Sequence, residues 1–393
     1  MKLLYIIFFI NLFNFSNSST ELELRNKLFN NYDVNRRPVL NVNDNVDLQY
    51  GIEVKSLEFF DQKAENIKFN IWMTLLWTDQ YLSWNKSNYN LDYITIQSSD
   101  IWIPDLELYN AAAKPIIYDK YGSLQLYNNG HILWVRPTQY SFSCPLQLAN
   151  FPFDNQNCTM LFGSWKYSAN FLDIKPFNYF KDDNIFQNIS IDKDFSNNEW
   201  NIVDTYVKHD DIEYLCCPGE LWANSFYSIK LERNFFTYMI VISMTILLTI
   251  TALVLILFPI TNYMRTFVLV FIPLSIIWLQ VYISDKIPVI EYYTLMEQIL
   301  LTSFLITTAN AFESSILYCI INENFEWLKI FYKKNELNTH NKNADFKDVK
   351  IILNTLNNKI IYKNLYKYVL IIDNCFRVLM YLGFIITIGV LLL

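Results

Sequence analysis

Four long apolar segments in the second half of the chain leave little choice of architecture. Phe235 to Phe258 carries no charge, and Thr266 to Ser284 carries none either, with Arg265 and Asp285 at its ends. Thr294 to Ile320 is apolar except for Glu297 and Glu313, and Val369 to Leu393 except for Asp373 and Arg377. Each approaches or exceeds the ~20 residues that cross a bilayer as a helix. Hydrophobic residues make up 52% of the sequence, which fits a membrane protein rather than a purely soluble one. At the other end, Lys2 precedes LLYIIFFINLF, and Ser16, Ser18 and Ser19 follow. That pattern reads as a secretory signal peptide over residues 1–19. Four spans after a removed signal put both ends of the mature chain outside the cell and make 321–368 a cytoplasmic connector. The connector holds nine lysines against five acidic residues, as the positive-inside rule expects. Set against the whole-chain charge of −7, the connector's +4 leaves −11 for residues 1–320, so the outer domain is acidic and mildly favours cations nearby.

Residues 20–234 read as a mostly β outer domain. Val46, Leu48, Tyr50, Ile52 and Val54 alternate with polar residues or glycine, and Ile67, Phe69, Ile71, Met73 and Leu75 alternate likewise. A period of two marks half-buried strands. Asn129-Gly130 is a hairpin turn signal, and Glu21 to Asn30 reads as one short amphipathic helix. Many short strands of this kind predict a β-sandwich. Cys144, Cys158, Cys216 and Cys217 lie in this polar half, whereas Cys319 and Cys375 lie in or beside apolar segments and read as free thiols. Disulfides in the polar half require an oxidising compartment, so that half faces outside. Asn85, Asn157 and Asn188 open Asn-X-Ser/Thr triplets and are candidate glycan acceptors. Trp72 falls on the polar face of its strand, where a tryptophan usually meets a partner surface or a ligand.

Several segments carry a family resemblance, in family order, from near Leu24 to the end of the chain. CPLQLANFPFDNQNC between Cys144 and Cys158 resembles the signature loop of the pentameric Cys-loop ligand-gated ion channels. Trp102 to Asn110 resembles the family's WxPDxxLYN segment, and Gly163-Ser164-Trp165 follows Cys158 at the family spacing. Asn198-Glu199-Trp200 and Tyr214-Leu215-Cys216-Cys217 resemble the approach and tip of the capping loop in alpha-type nicotinic acetylcholine receptor subunits. The resemblance implies two disulfides, Cys144–Cys158 and Cys216–Cys217. The second is strained, because adjacent Cα atoms sit about 3.8 Å apart and disulfides usually span ~4.4–6.8 Å.

By the same resemblance, Tyr109, Trp165 and Tyr214 supply the principal face of an aromatic cage under the Cys216–Cys217 loop. Trp222 stands for a second capping-loop tyrosine, with Leu221 as its rival. Trp72, Leu133 and Val135 form the complementary face on a neighbouring subunit. A quaternary ammonium over such rings gains roughly 0.5–2 kcal/mol per ring. Arg233 matches the arginine that links the outer domain's base to the spans.

The second span, counted from Arg265 to Pro288, fits the family's pore helix, with Leu274 at the gate and Asp285 at an outer acidic ring. It also departs from it. Met264 stands where nicotinic subunits carry a glutamate, and Phe267, Phe271 and Trp278 occupy pore-facing positions that are usually small, polar or aliphatic. Pro273 removes a backbone hydrogen bond inside the helix. Five copies would line the pore with aromatic rings, which exclude ions by sterics and dewetting.

The expected architecture is therefore an extracellular β-sandwich followed by a four-helix transmembrane bundle. The expected function is that of an acetylcholine-type channel subunit, with a small cationic agonist bound between homologous subunits of a hetero-oligomeric pentamer. Its place is the plasma membrane, multi-pass, at a postsynaptic site. The alternative is a non-conducting ligand-binding or assembly subunit with an occluded apolar pore. No cofactor or metal site is expected. An enzyme is a poor reading, because the three histidines join no metal or nucleophile pattern. The connector's lysines, interspersed with acids, give no nucleic-acid signal.

Overall fold

The computed structural model describes residues 20–118, 123–177, 189–321, 366–386 and 389. The expected signal peptide, the Asn188 acceptor and nearly all of the cytoplasmic connector lie outside the described residues. The chain divides into two units, 1–147 with 153–234, and 148–152 with 235–393.

The first unit opens with helix α1 (20–29), whose Leu24 is fully buried. Two sheets follow. The larger has eight strands: β1 (Val46–Asp61), β2 (Asn66–Thr78), β3 (Tyr93–Ile96), β5 (Ile116–Ile117), β6 (Ser123–Tyr127), β7 (His131–Ser143), β9 (Leu172–Pro176) and β10 (Ser190–Ile191). The smaller is ordered β11-β12-β8-β4, from β4 (Glu107–Leu108), β8 (Asn155–Gly163), β11 (Trp200–Glu213) and β12 (Leu221–Arg233). A one-turn helix, α2 (Lys86–Tyr89), lies between β2 and β3. The period of two in the sequence becomes alternating burial. Val46, Leu48, Tyr50, Ile52 and Val54 of β1 all point inward, as do Ile67 to Leu75 at every second place of β2.

The sheets meet through aromatic rings. Tyr50 and Tyr140 from the larger sheet touch Phe162 from the smaller at ring distances of 5.6 and 5.4 Å, and Tyr50 lies 4.9 Å from Tyr227. Such a shared, water-free layer defines a sandwich. A disulfide between buried Cys144, just after β7, and buried Cys158, within β8, ties the two sheets covalently. The β6–β7 turn needs its glycine. Gly130 has φ +84°, and a Cβ there would meet the Asp79 carbonyl oxygen at 2.4 Å.

Among the described residues the second unit holds four helices long and apolar enough to cross a membrane: α3 (Phe236–Leu255), α4 (Tyr263–Ser284), α5 (Leu295–Ile321) and α6 (Tyr366–Ile386). Helix α4 starts a little before the expected apolar run. Asn262 caps it by accepting a hydrogen bond from the Met264 N–H at 3.0 Å, satisfying one of the donors that a helix start leaves open.

Most charges inside these apolar segments pair with one another or cap a helix. Glu297 closes a capping box with Thr294: its carboxylate accepts from the Thr294 N–H at 2.9 Å, and the Thr294 hydroxyl accepts from the Glu297 N–H at 3.1 Å. Glu313 and Asp373 each accept a hydrogen bond from Arg265 at 2.9 Å, and Arg377 pairs with Asp373. Ionisable groups in a membrane bundle are costly unless paired inward, and this cluster is where α4, α5 and α6 meet that requirement. Residues Leu148–Pro152, from the middle of the Cys144–Cys158 loop, group with the helices. The first N–H groups of α5 lack partners of their own. Leu295 N–H donates to Ala149 O at 2.9 Å and Met296 N–H to Phe151 O at 3.1 Å.

Candidate functional site

A cluster of three aromatic rings, one exposed and two half-buried, sits on the first unit. The Tyr109 ring lies 4.9 Å from Trp165 and 6.4 Å from Tyr214. Each ring comes from a different segment: Tyr109 just after β4, Trp165 just after β8, and Tyr214 at the β11–β12 turn. Trp165 is 68% exposed, unusual for so large an apolar surface. Trp165 is thus the ring of the three most open to a partner.

Polar groups that the sequence reading left out of the site hold these rings in place. The Asp105 carboxylate accepts from the Ser164 hydroxyl at 2.8 Å, the Trp165 N–H at 2.7 Å and the Lys166 N–H at 2.8 Å. This fixes the turn that carries the tryptophan. Asn110 bridges to β8, donating to Thr159 O at 2.8 Å and accepting from the Leu161 N–H at 3.1 Å. The Tyr109 hydroxyl donates to Ser164 O at 2.6 Å, and Asn224 donates to the Tyr214 hydroxyl at 2.9 Å. Burial, with help from Tyr214 and Asp105, raises the Tyr109 phenol well above its usual range, so it stays a neutral donor. The signal for Asp105 and Asn110 was present in Trp102 to Asn110. Their spacing brings Asn110 onto β8 and Asp105 onto the turn after it once Leu108 pairs with Phe162.

Trp222 stands beside the cluster rather than within it; among the described residues no ring contact joins it to the other three. In β12, alternation puts Trp222 on the same face as Asn224 and puts Leu221 on the other face. The Trp222 indole N–H is buried without a partner. Cys216 and Cys217 lie at the β11–β12 turn with their sulfurs 2.7 Å apart.

Trp72, 45% exposed, lies on the outer face of the larger sheet. The β2–β7 register sets Trp72 opposite Pro137, Thr74 opposite Val135 and Leu76 opposite Leu133, so Trp72, Leu133 and Val135 share that face. Asn85 is exposed at the start of α2, where its side chain caps the helix. Asn157 is exposed too, and its amide donates to the Tyr206 hydroxyl at 3.0 Å.

Arg233 is buried within the first unit. It binds Asp154 through two nitrogens, donates to Gln62 at 2.9 Å, and lies 4.2 Å from the centre of the Trp200 ring. On α4, Phe267, Phe271, Leu274 and Trp278 form one exposed stripe that continues to Asp285, while Leu269, Ile272 and Ile276 face inward. Pro273 is buried in the bundle, and Pro288 follows the helix half-buried. Arg265 does not share the stripe. It is buried against Ser314, Glu313 and Asp373, because a guanidinium in an apolar bundle turns toward its counter-charges.

Residues 21–235 match the family model described as the neurotransmitter-gated ion-channel ligand binding domain. The neuronal acetylcholine receptor subunit alpha-6 of Homo sapiens is 32% identical over 239 residues, covering 60% of this chain and 47% of that protein. The alpha-3 subunit of Bos taurus is 31% identical over 242 residues, covering 61% and 47%, and the alpha-2 subunit of Homo sapiens is 31% identical over 242 residues, covering 61% and 44%. The chain spans about half the length of the curated relatives it matches. Sandwich, inter-sheet disulfide and ring cluster all fall inside the matched residues, and because that one model covers more than half of the sequence, the chain belongs to the neurotransmitter-gated ion-channel family.

Proposed function

We propose that this chain is an alpha-type subunit of an acetylcholine-type ligand-gated channel. It contributes the principal face of an agonist site between subunits of a pentamer. The observation that carries the reading is the cluster of Tyr109, Trp165 and Tyr214, in which Trp165 is exposed. Electron-rich rings gathered at one place attract a bulky, weakly hydrated organic cation. An agonist shifts such a protein toward an open arrangement only by its differential affinity for that arrangement.

Four helices able to cross a membrane supply the pore domain in this reading, with the aromatic-bearing domain outside the cell. The exposed stripe of Phe267, Phe271 and Trp278 favours a second possibility, a subunit that binds agonist but carries no useful current without partners.

The test is acetylcholine binding to membranes from cells displaying the full chain, with Trp165→Ala as the comparison. The variant is expected to weaken binding about three- to thirtyfold, since one ring is worth roughly 0.5–2 kcal/mol. Unchanged binding by a well-displayed variant would sink the cage. Acetylcholine-evoked current in the same cells then separates the conducting reading from the silent one.

A further inference from the structure

The exposed ring of Trp72 already holds a cation. The ammonium of Lys55 lies 3.6 Å from the ring centre. The backbone brings this about. Strands β1 and β2 pair with Glu53 opposite Trp72, and the register slips between Val54 and Ser56. Lys55 is the extra residue of that bulge. Val54 and Leu57 point into the core, so both residues between them are turned outward. A bulge re-aims a side chain in this way.

Two carboxylates fix the ammonium over the ring, Glu53 at 2.8 Å and Asp192 at 2.8 Å. Asp192 is itself positioned by its N–H, which donates to Val54 O at 2.9 Å. Partial burial pulls the lysine's pKa down, but the hydrogen bonds to Asp192 and Glu53 outweigh it and leave it above its ordinary 10.5. Lys55 is therefore charged at neutral pH.

We propose that Lys55 is a tethered occupant of this chain's complementary face: its ammonium sits where an organic cation would need to sit over Trp72. This chain then serves as the principal subunit of an interface and needs a different subunit to supply an open complementary face. The inference rests on the cage reading of Tyr109, Trp165 and Tyr214. Its basis is competition. A tethered cation is present at an effective concentration that a free ligand must exceed. A free ammonium beside Lys55 also meets like charge at short range. Removing Lys55 bares the ring and leaves Glu53 and Asp192 free to attract an incoming cation.

The test uses tritiated acetylcholine on membranes from cells expressing the full chain alone, with surface display verified for each variant. Lys55→Gln is expected to tighten binding about three- to thirtyfold, the equivalent of one ring's contribution. Lys55→Arg, which keeps a cation over the ring, is expected to stay like the parent. Adding Trp72→Ala to Lys55→Gln is expected to remove the gain, which tells the ring's contribution from a general charge effect. Binding that falls with Trp165→Ala but does not respond to Lys55→Gln overturns the tethered occupant and leaves the cage standing. Binding indifferent to both substitutions overturns the cage and this inference with it.

Discussion

Arg233 grips Asp154 with two hydrogen bonds, Nε to Oδ1 at 2.7 Å and Nη2 to Oδ2 at 3.0 Å, and both side chains are buried. Asp154 comes from the Cys144–Cys158 loop, and Arg233 from the end of β12, the last strand before α3. The fork-to-carboxylate pairing is specific in direction as well as charge. Gln62 and Glu199 both accept from the remaining nitrogen, Nη1, at 2.9 and 3.3 Å. Removing Arg233 leaves Asp154 buried without its counter-charge, and removing Asp154 leaves the guanidinium with the longer contact to half-exposed Glu199; breaking a buried pair in this way costs about 3–5 kcal/mol. Asp154→Asn and Arg233→Gln are each expected to lower surface display sharply. The paired change of both residues should recover part of it, because no lone charge remains. Quantitative surface labelling checks this, and singles that display as well as the parent would show the pair to be dispensable.

Gly163 is predicted to be a steric requirement of the ring cluster. A Cβ there would lie 2.6 Å from the Asn224 side-chain oxygen and 2.6 Å from the Tyr109 ring and hydroxyl. Tyr109 is held by its bond to Ser164, and Asn224 is fully buried, so neither gives way freely. Gly163→Ala should displace Tyr109 and weaken acetylcholine binding at least tenfold while leaving the Cys144–Cys158 disulfide and surface display in place. Radioligand binding normalised to surface protein is the measurement, and parental affinity would mean the rings adjust.

The Lys55–Asp192 contact is predicted to have a defined pH window. Backbone hydrogen bonding from Asp194, then Lys55, pulls the Asp192 pKa below its ordinary 3.8. That stabilisation is present above 3.8 and is lost as pH falls through the lowered folded value. Lys55 titrates above 10.5 in the fold, so its share is present below 10.5 and is lost as pH rises through the raised value. The stability difference between the parent and Lys55→Gln should therefore be flat from about pH 5 to 9 and shrink outside that range. Denaturation midpoints of the detergent-solubilised chain across pH report it. A difference that changes steeply near pH 7 would mean that another group controls the contact.

What the sequence made legible depends on how local each relationship is. The alternation in Val46 to Val54 gave the strand and its buried face, and Trp102 to Asn110 gave the ring-bearing segment, because the residues involved are neighbours along the chain. The partners of Arg265 were not legible. Glu313 lies 48 positions away and Asp373 lies 108 away, so the arginine read only as the inner end of the pore helix. Lys55 was hidden for a related reason. A one-residue bulge breaks the alternation at that point, and Asp192 lies 137 positions on.

The stripe on α4 leads to the last prediction. Phe267, Phe271, Leu274 and Trp278 recur at helical spacing and are all exposed, with Trp278 the most open at 77%. The opposite side of α4 is committed elsewhere, by Arg265 to Glu313 and Asp373 and by Leu269, Ile272 and Ile276 to the bundle interior. Rotation of the helix to hide the rings would pull Arg265 from its two carboxylates, which is costly in an apolar setting. The rings are therefore held outward by the ion pairs behind them. If five such helices surround a pore, apolar rings at three levels empty it of water and stop ions. Replacing Phe267, Phe271 and Trp278 together with threonine should let the chain, expressed alone and given saturating acetylcholine, pass current at least tenfold above the parent at equal surface density. An equally silent triple variant that still binds acetylcholine would place the block elsewhere. Parental current of full size would show that the aromatic stripe does not line the conducting path.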